Sequence, residues 1–191
     1  MSGWATWITG IPGSGKSTLA RLVARRLLHR HIHAQVLSVE MVREVLTARP
    51  RYTEEERRIV YGALVFVSKM LAQNGVNVII DATANRRSYR NKARRSIKRF
   101  AEVYLNCPLE VCMDREKRRK RRFGAPSQIY AKARTGASKT VPGVGVPYEA
   151  PLSPELKVDT CHFRPNQSAD QITKFILLRF AHRSDRSMAK H

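Results

Sequence analysis

The sequence predicts a three-layer α/β/α fold around a mostly parallel five-stranded sheet. Short apolar runs alternate with helix-like runs along the chain, which is typical of parallel strands covered by helices on both faces. A glycine-rich segment joins the first apolar run to the first helix-like run. The length of 191 residues suits one domain with a real core. We therefore predict a single domain over residues 1–182 and a frayed basic tail over residues 183–191.

The predicted strands are short apolar runs, and each of the last four comes after a helix-like run. They lie at residues 4–9, 36–39, 76–80, 101–105 and 156–158. The predicted helices lie at residues 17–31, 41–47, 53–74, 86–100, 109–121, 129–134 and 168–180. Residues 138–154 contain four prolines and are predicted to form a loop.

Capping residues mark two of the predicted helices. Thr53 precedes Glu56 by three residues, which is the spacing of a capping box, and Gly75 follows the same helix as a C-terminal glycine should. Ser168 to Asp170 is predicted to cap the last helix. The apolar positions assigned to the helix after Thr53 are Ile59, Leu64, Val67, Met70 and Leu71.

The glycine-rich segment is the most specific motif in the chain. Residues 10–18 read Gly-Ile-Pro-Gly-Ser-Gly-Lys-Ser-Thr, a complete G-x-x-x-x-G-K-[ST] phosphate-binding loop between a strand and a helix. Lys16 is expected to reach the β/γ-phosphates of ATP, and the Ser17 hydroxyl is expected to bind Mg²⁺. The fold is therefore predicted to be that of the P-loop NTPases. The predicted ATP-binding residues are Gly10, Gly13, Ser14, Gly15, Lys16, Ser17 and Thr18.

Two acidic residues follow neighbouring predicted strands, where a parallel sheet places its ligands. Glu40 could hold Mg²⁺ through water or accept a proton from an acceptor hydroxyl. Asp81 ends an apolar run of the type that positions Mg²⁺, and its alternative role is to cap the next helix. Thr83 and Asn85 are at least as good for that cap. Lys16, Glu40 and Asp81 are the predicted catalytic residues, with Ser17 and Glu40 as metal ligands; which carboxylate is the base stays open.

The formal charge of +21 predicts an anionic partner. A nucleotide or another anionic small molecule is the main expectation, with non-specific nucleic-acid binding as the alternative. One basic cluster could simply be a solvated helix face, and its members are Arg86, Arg87, Arg90, Lys92, Arg94, Arg95, Lys98 and Arg99. The second, at residues 115–122, predicts a lid over about 115–136 that delivers arginines to phosphates, with its tip at residues 123–126. Its alternative is a nucleic-acid-binding arm.

The cysteine count and the hydropathy indicate a cytoplasmic protein. Cys107, Cys112 and Cys161 are odd in number and form no C-x-x-C pair, which favours reduced thiols over a zinc site. No stretch is long and apolar enough to span a bilayer, so no membrane partner is expected. The first residues show no secretion signal.

The chain resembles the adenylylsulfate kinase family, which phosphorylates the 3′-hydroxyl of adenosine 5′-phosphosulfate, and the resemblance is most specific in the second half of the chain. The likeness covers most of residues 5–160. The segments that carry it are Glu102-Val-Tyr-Leu-Asn-Cys-Pro-Leu-Glu-Val-Cys112 with Arg115, Tyr130-Ala-Lys-Ala-Arg-Thr-Gly136, Pro147-Tyr-Glu-Ala-Pro151 and Pro154-Glu-Leu-Lys-Val-Asp-Thr160.

The resemblance implies roles for further residues and for a second copy of the chain. Arg43 and Arg57 match sulfonucleotide-binding arginines of the family, and Lys139 matches a lysine near the same substrate. Arg115 matches a lid arginine beside the ATP base. Tyr52 stands where the family stacks a phenylalanine on a base. The family also implies a homodimer.

Because the sequence departs from the family pattern at several positions, the identity of the phosphoryl acceptor is not decided by the resemblance. Glu40 replaces an aspartate, Val60 replaces a substrate-binding asparagine, Val141 replaces an aromatic residue, and Gly145 replaces an aspartate. The segment Asp81-Ala-Thr-Ala-Asn85 instead resembles the Asp-Ala-Thr of polynucleotide-kinase-like enzymes.

Three functions therefore compete. The first is an ATP-dependent adenylylsulfate kinase. The second is a kinase of another hydroxyl, in a nucleoside, a small metabolite or a polynucleotide 5′ end. The third is a nucleic-acid-binding ATPase, although aromatic residues are few in the basic segments.

Overall fold

A fully parallel sheet of five strands forms the centre of the protein. The computed structural model describes residues 2–47, 49–119 and 126–180. The strands are paired in the order β2-β3-β1-β4-β5. Their bounds are β1 Ala5–Thr9, β2 Ala34–Ser38, β3 Asn77–Asp81, β4 Phe100–Asn106 and β5 Leu156–Asp159.

Seven helices are described, and they connect or cover these strands. Their bounds are α1 Lys16–Leu28, α2 Val39–Leu46, α3 Glu54–Gln73, α4 Arg87–Ser96, α5 Leu109–Lys117, α6 Ile129–Arg134 and α7 Pro165–Phe180. Residues 123–125 of the predicted lid tip and the predicted tail at 183–191 lie outside the described residues.

Two apolar clusters cover opposite faces of the sheet. Successive side chains of a strand point to opposite faces, and β1 shows this directly. Trp7 packs into one cluster with α3 and α4, whereas Ile8 packs into the other with α1 and α7. Both residues are fully buried. This arrangement confirms the predicted three-layer α/β/α fold.

Of the five apolar residues that indicate α3 in the sequence, only Leu64 and Leu71 pack against the core. Ile59, Val67 and Met70 are exposed, at 53%, 36% and 43%. Two polar residues, Ser68 and Arg57, lie on the buried face and interrupt its apolar periodicity in the sequence. The Ser68 hydroxyl donates to Leu64 O at 2.7 Å, and Arg57 is part of the site described below. The buried residues of α3 are Arg57, Val60, Tyr61, Leu64, Val65, Ser68 and Ala72.

Two capping predictions are wrong, and both helices start differently. Ser168 lies buried inside α7, which begins at Pro165, because proline is well suited to a first helical turn. Neither Thr83 nor Asn85 caps α4, whose N-cap Arg86 makes no side-chain capping bond. Asn85 instead accepts a hydrogen bond from Arg57. The cap predicted at Thr53 is confirmed, because its side chain accepts a bond from Glu56 N.

The first basic cluster is partly a structural network. Arg90 is only 1% exposed and pairs with Glu102, and Arg94 pairs with Glu155 and Glu102. Arg86 pairs with Glu54. These ion pairs balance the charges of three arginines of the cluster within the chain, so these three need no external anion. Within the described residues, no helix is long and apolar enough to cross a membrane.

Candidate active site

The phosphate-binding loop has the backbone shape that its glycines predict. Gly13 has φ +84°, and a Cβ there would lie 2.3 Å from Cys112 O, so only glycine fits. Gly15 has φ +100° and is the N-cap of α1. The amino end of α1, with its partial positive charge, therefore starts directly at the loop.

Lys16 lies inside this loop with its ammonium group held by two carbonyls. Nζ donates to Gly10 O at 3.0 Å and to Ile11 O at 3.1 Å. Burial lowers the pKa of Lys16, while the nearby Asp81 carboxylate opposes this shift. A phosphate in the loop would add negative charge beside this half-buried cation.

The two predicted carboxylates meet at the ends of β2 and β3. Ser38 at the end of β2 is in register with Asp81 at the end of β3, and Glu40 follows two residues later in α2. Burial raises the pKa of both carboxyl groups. The nearby Lys16 charge and the Ser17 side chain lower the pKa of Asp81 in part. Arg43 acts in the same direction on Glu40.

This group of oxygens fits Mg²⁺. The Ser17 hydroxyl, the Asp81 carboxylate and the Glu40 carboxylate all border the same cavity. No group of three or more His, Cys, Asp and Glu side chains that could hold a metal occurs among the described residues. Mg²⁺ usually takes only one or two protein carboxylates and completes its shell with water and substrate phosphates.

Arg43 and Tyr52 form one wall on the far side of Glu40. The Arg43 guanidinium lies over the Tyr52 ring, 4.5 Å from its centroid. Its Nη1 pairs with Glu56, which also accepts the Tyr52 backbone N–H at 2.8 Å. Arg43 Nε is buried, 3.7 Å from Glu40 Oε2, with no hydrogen-bond partner among the described residues. The anionic group that faces this donor is the Glu40 carboxylate, so one guanidinium lies between Glu40 and Glu56.

Arg57 is buried beside this wall and joins three segments of the chain. Nε donates to Tyr52 O at 3.0 Å, Nη1 to Asn85 Oδ1 at 3.2 Å, and Nη2 to Thr140 O at 2.5 Å. The residue is 3% exposed and lines the cavity. Three of the five N–H groups of its guanidinium are used by these bonds.

The described part of the predicted lid brings two arginines to the cavity. Arg115 donates to Thr160 O at 2.6 Å, and Arg119 donates to Pro126 O at 3.0 Å. The charge of Arg119 also acts on Lys16 and Glu40. Tyr130 of α6 donates its hydroxyl proton to Pro12 O at 2.7 Å, which ties this helix to the phosphate loop. Residues 120–122 of the second basic cluster lie outside the described residues.

A single cavity of about 1000 Å³ collects nearly all of the predicted site residues. Gly10 lies behind it, where its carbonyl holds Lys16. Lys139 is exposed and is not part of the lining, although its neighbours Ser138 and Thr140 are. The predicted residues in the lining are Gly13, Ser14, Gly15, Lys16, Ser17, Thr18, Glu40, Arg43, Tyr52, Arg57, Asp81 and Arg115.

Several residues of the site were missed or given another role by the sequence analysis. Glu56 was expected to close a capping box, but its carboxylate holds Arg43 and the Arg51–Tyr52 backbone. Arg119 stands inside the basic run, which offered no signal to separate it from its neighbours. Thr160 bonds to Ser14 O at 3.1 Å, and its place at the end of a strand could have indicated it.

The structure explains one departure from the family pattern. A Cβ at Gly145 would lie 2.4 Å from Lys139 O, so no aspartate side chain fits this backbone. Val141 is buried at 6% exposure and lines the cavity in place of an aromatic ring.

Comparison with known proteins decides the family. The model of the family "Adenylylsulphate kinase" matches residues 2–159. The chain belongs to the adenylylsulfate kinase family. It is 35% identical over 174 residues to the adenylyl-sulfate kinase of Halothermothrix orenii, covering 91% of this chain and 89% of that one. It is 36% identical over 154 residues to a probable adenylyl-sulfate kinase of Archaeoglobus fulgidus, covering 81% and 94%.

A solved structure of the family supports the same assignment. The APS kinase CysC of Mycobacterium tuberculosis, in complex with AMPPNP and APS, superimposes with a TM-score of 0.81 at 30% identity. The match covers 92% of this chain and 98% of that chain. The P-loop fold of the adenylylsulfate kinases is therefore the fold of this protein.

Proposed function

We propose that this protein transfers the γ-phosphoryl group of ATP to the 3′-hydroxyl of adenosine 5′-phosphosulfate (APS). One observation carries the proposal: a single cavity contains a complete phosphate-binding loop and, across Glu40 from it, a wall of buried arginines with a tyrosine ring. The family relatives named above are adenylyl-sulfate kinases, and one was solved with both an ATP analogue and APS.

The donor half of the cavity would hold ATP. The loop amides and Lys16 would bind its phosphates, and Arg115 would lie beside the base. Ser17, together with Glu40 or Asp81, would hold Mg²⁺, which neutralises charge on the phosphates when bound. Arg119, although not singled out by its sequence, would face the transferring group because it lines the same cavity as Lys16 and Glu40.

The acceptor half would hold the sulfonucleotide. Arg43 and Arg57 would contact its anionic groups, and the Tyr52 ring would stack on its base. Lys139 would add a cation at the entrance, since it is exposed next to the lining. Glu40 would then orient the 3′-hydroxyl or accept its proton, because it lies between the phosphate loop and Arg43.

The direct test is ATP turnover with Mg²⁺, measured with and without APS, followed by identification of the product. We expect ADP release that depends on APS and a product phosphorylated at the 3′ position. ADP release that APS does not stimulate would contradict the proposal. Nucleosides, small hydroxyl compounds and oligonucleotide 5′ ends would then be tried as acceptors.

We also propose that two copies of the chain associate through α3. Its exposed face carries an apolar stripe of Ile59, Phe66 and Met70, at 53%, 62% and 43% exposure. These positions share one helix face because they are spaced by seven and four residues. On a chain with a net charge of +21, an uncharged stripe is where two copies can approach with least repulsion.

Replacing Phe66 by glutamate should convert such a dimer to a monomer, because the carboxylate would have to be buried in the interface. Sedimentation equilibrium of both proteins measures this. Leu178→Glu is the matched control, since Leu178 is 69% exposed on α7, away from the stripe. A wild-type chain that sediments as a monomer would overturn the proposal.

A cytoplasmic setting completes the proposed function. Cys107, Cys112 and Cys161 are all free thiols, which supports a reducing compartment.

A further inference from the structure

The segment that follows β3, residues 82–85, is held in place at every carbonyl group. It runs directly behind the acceptor side of the cavity, and Ala82 and Thr83 line it. Such complete bonding of an irregular segment fixes its path. The four bonds are Trp7 Nε1 to Ala82 O at 2.9 Å, Thr9 Oγ1 to Thr83 O at 2.7 Å, Arg90 Nη1 to Ala84 O, and Glu149 N to Asn85 O at 2.8 Å.

Arg90 is the buried cation of this arrangement. Its side chain is 1% exposed, and Nε donates to Glu102 Oε1 at 2.6 Å. Its other two nitrogens donate to Ala84 O and Glu149 O. A buried ion pair of this kind is costly to break but orients its neighbours strictly, because each of the three guanidinium nitrogens donates to a fixed acceptor.

Asn85 connects this rigid segment to Arg57, which lines the cavity. It is 2% exposed, its backbone is fixed by Glu149, and its Oδ1 accepts the Arg57 Nη1 proton at 3.2 Å. Arg57 is otherwise held by backbone carbonyls of Tyr52 and Thr140. Asn85 is therefore a side chain that orients the guanidinium plane from the β3 side.

We propose that Asn85 and Arg90 are positioning residues that fix the Arg57 guanidinium for the anionic acceptor. This rests on the proposed function, in which Arg57 binds the sulfonucleotide. A planar guanidinium binds an anion best when its free N–H groups already point at it, because no side-chain freedom is then lost on binding. The residues act through Arg57 and do not touch the acceptor themselves.

A double-mutant cycle separates this role from a merely structural one. Asn85→Ala should raise the KM for APS about tenfold, as expected for loss of a hydrogen bond to a charged group. The KM for ATP and the kcat should change by less than about twofold. In an Arg57→Ala background, Asn85→Ala should leave the KM for APS unchanged, because the residue through which it acts is gone. Equal effects of Asn85→Ala in both backgrounds would overturn the proposal.

Matched variants show whether a change in KM comes from misfolding rather than from the loss of the Asn85 side chain. Asn74→Ala removes an exposed asparagine at the end of α3 and should leave both KM values unchanged. Arg57→Lys replaces Arg57→Ala if the alanine variant does not fold. Arg90→Lys keeps the charge beside Glu102 but cannot reach all three acceptors. It should therefore raise the KM for APS in the wild-type background and have no effect on it in the Arg57 variant.

A second measurement does not depend on the acceptor. Side-chain ¹⁵N NMR of the free protein reports the rotation of the Arg57 guanidinium about its Nε–Cζ bond, which should be slow in the wild type and faster in Asn85→Ala. Unchanged rotation would contradict the positioning role even if APS is the substrate. Wild-type protein that does not turn over APS would instead contradict the proposed function, and the rotation would still decide the positioning role.

Discussion

Replacing Lys16 by alanine should lower the kcat for APS-dependent ADP formation by about a thousandfold or more. The ammonium group lies between the Gly10 and Ile11 carbonyls, where a bound triphosphate would lie over it. Removing a preorganised cation from a transferring phosphoryl group typically costs about a hundredfold to a hundred-thousandfold in rate. Steady-state ADP release with saturating APS is the measurement.

The same substitution should leave the fold intact. Burial lowers the pKa of Lys16, which shows that its charged form is held at a cost in the free protein. Loss of the side chain removes two bonds to carbonyls but also removes that cost, so we expect the Tm to shift by no more than a few degrees. Lys92→Ala, on the exposed face of α4, is the control and should be fully active. Activity of Lys16→Ala above about a tenth of wild type would contradict the assignment of the active site.

The residues of the proposed phosphate site could be predicted because they are local in sequence or follow strand ends. The loop, Lys16 and Ser17 form one continuous motif, and Glu40 and Asp81 follow strands whose ends must meet in a parallel sheet. Strand order was not needed for this prediction. Any arrangement of parallel strands brings their carboxyl ends to one edge, and that edge is where the cavity lies.

The residues that hold the acceptor side could not be predicted in the same way. Asn85 and Arg57 are 28 residues apart, and their bond depends on how α3 packs against the segment after β3. Glu56 has the spacing of a capping residue, and its local pattern gives no sign that it pairs with Arg43, 13 residues away. These contacts arise from tertiary packing, which overrides the local signal.

The exposure of Ile59, Val67 and Met70 on α3 has the same physical origin. The sequence signal assumes that apolar residues mark the buried side, but α3 buries Arg57 to build the site and exposes Phe66 at 62%. One side of α3 buries a polar residue at the cavity, and another side exposes apolar residues. The apolar residues of this helix therefore do not mark a single buried face. Departures from the pattern are therefore expected at functional surfaces.

Replacing Glu40 by glutamine should lower the kcat by about a hundredfold or more and change the Kd for ATP by less than about threefold. A general base contributes about a hundredfold to ten-thousandfold in rate, whereas the phosphates of ATP are held mainly by the loop and Lys16. Single-turnover kinetics and calorimetry with a non-hydrolysable ATP analogue measure the two quantities. Glu44→Gln is the matched control on the same helix, since Glu44 is exposed. A wild-type rate in Glu40→Gln would remove Glu40 from the role of base.

The pH profile distinguishes Glu40 from Asp81 as the base. Burial raises the pKa of Glu40 above the ordinary value of 4.5, and a base must be ionised to accept a proton. The kcat/KM of the wild type should therefore rise with pH through that raised pKa, so its acidic limb lies at higher pH than an ordinary glutamate would give. Glu40→Gln should lose this limb, whereas Asp81→Asn should keep it at a lower rate.

The opposite pair of pH profiles would make Asp81 the base in place of Glu40. Burial also raises the pKa of Asp81, so the acidic limb alone does not identify the group. Asp81 lies at the cavity near Lys16 and Ser17, on the proposed Mg²⁺ side of the site. Glu40 instead lies 3.7 Å from Arg43 on the acceptor side. If Asp81→Asn loses the limb and Glu40→Gln keeps it, Asp81 is the base. Glu40 would then act on Mg²⁺ through water.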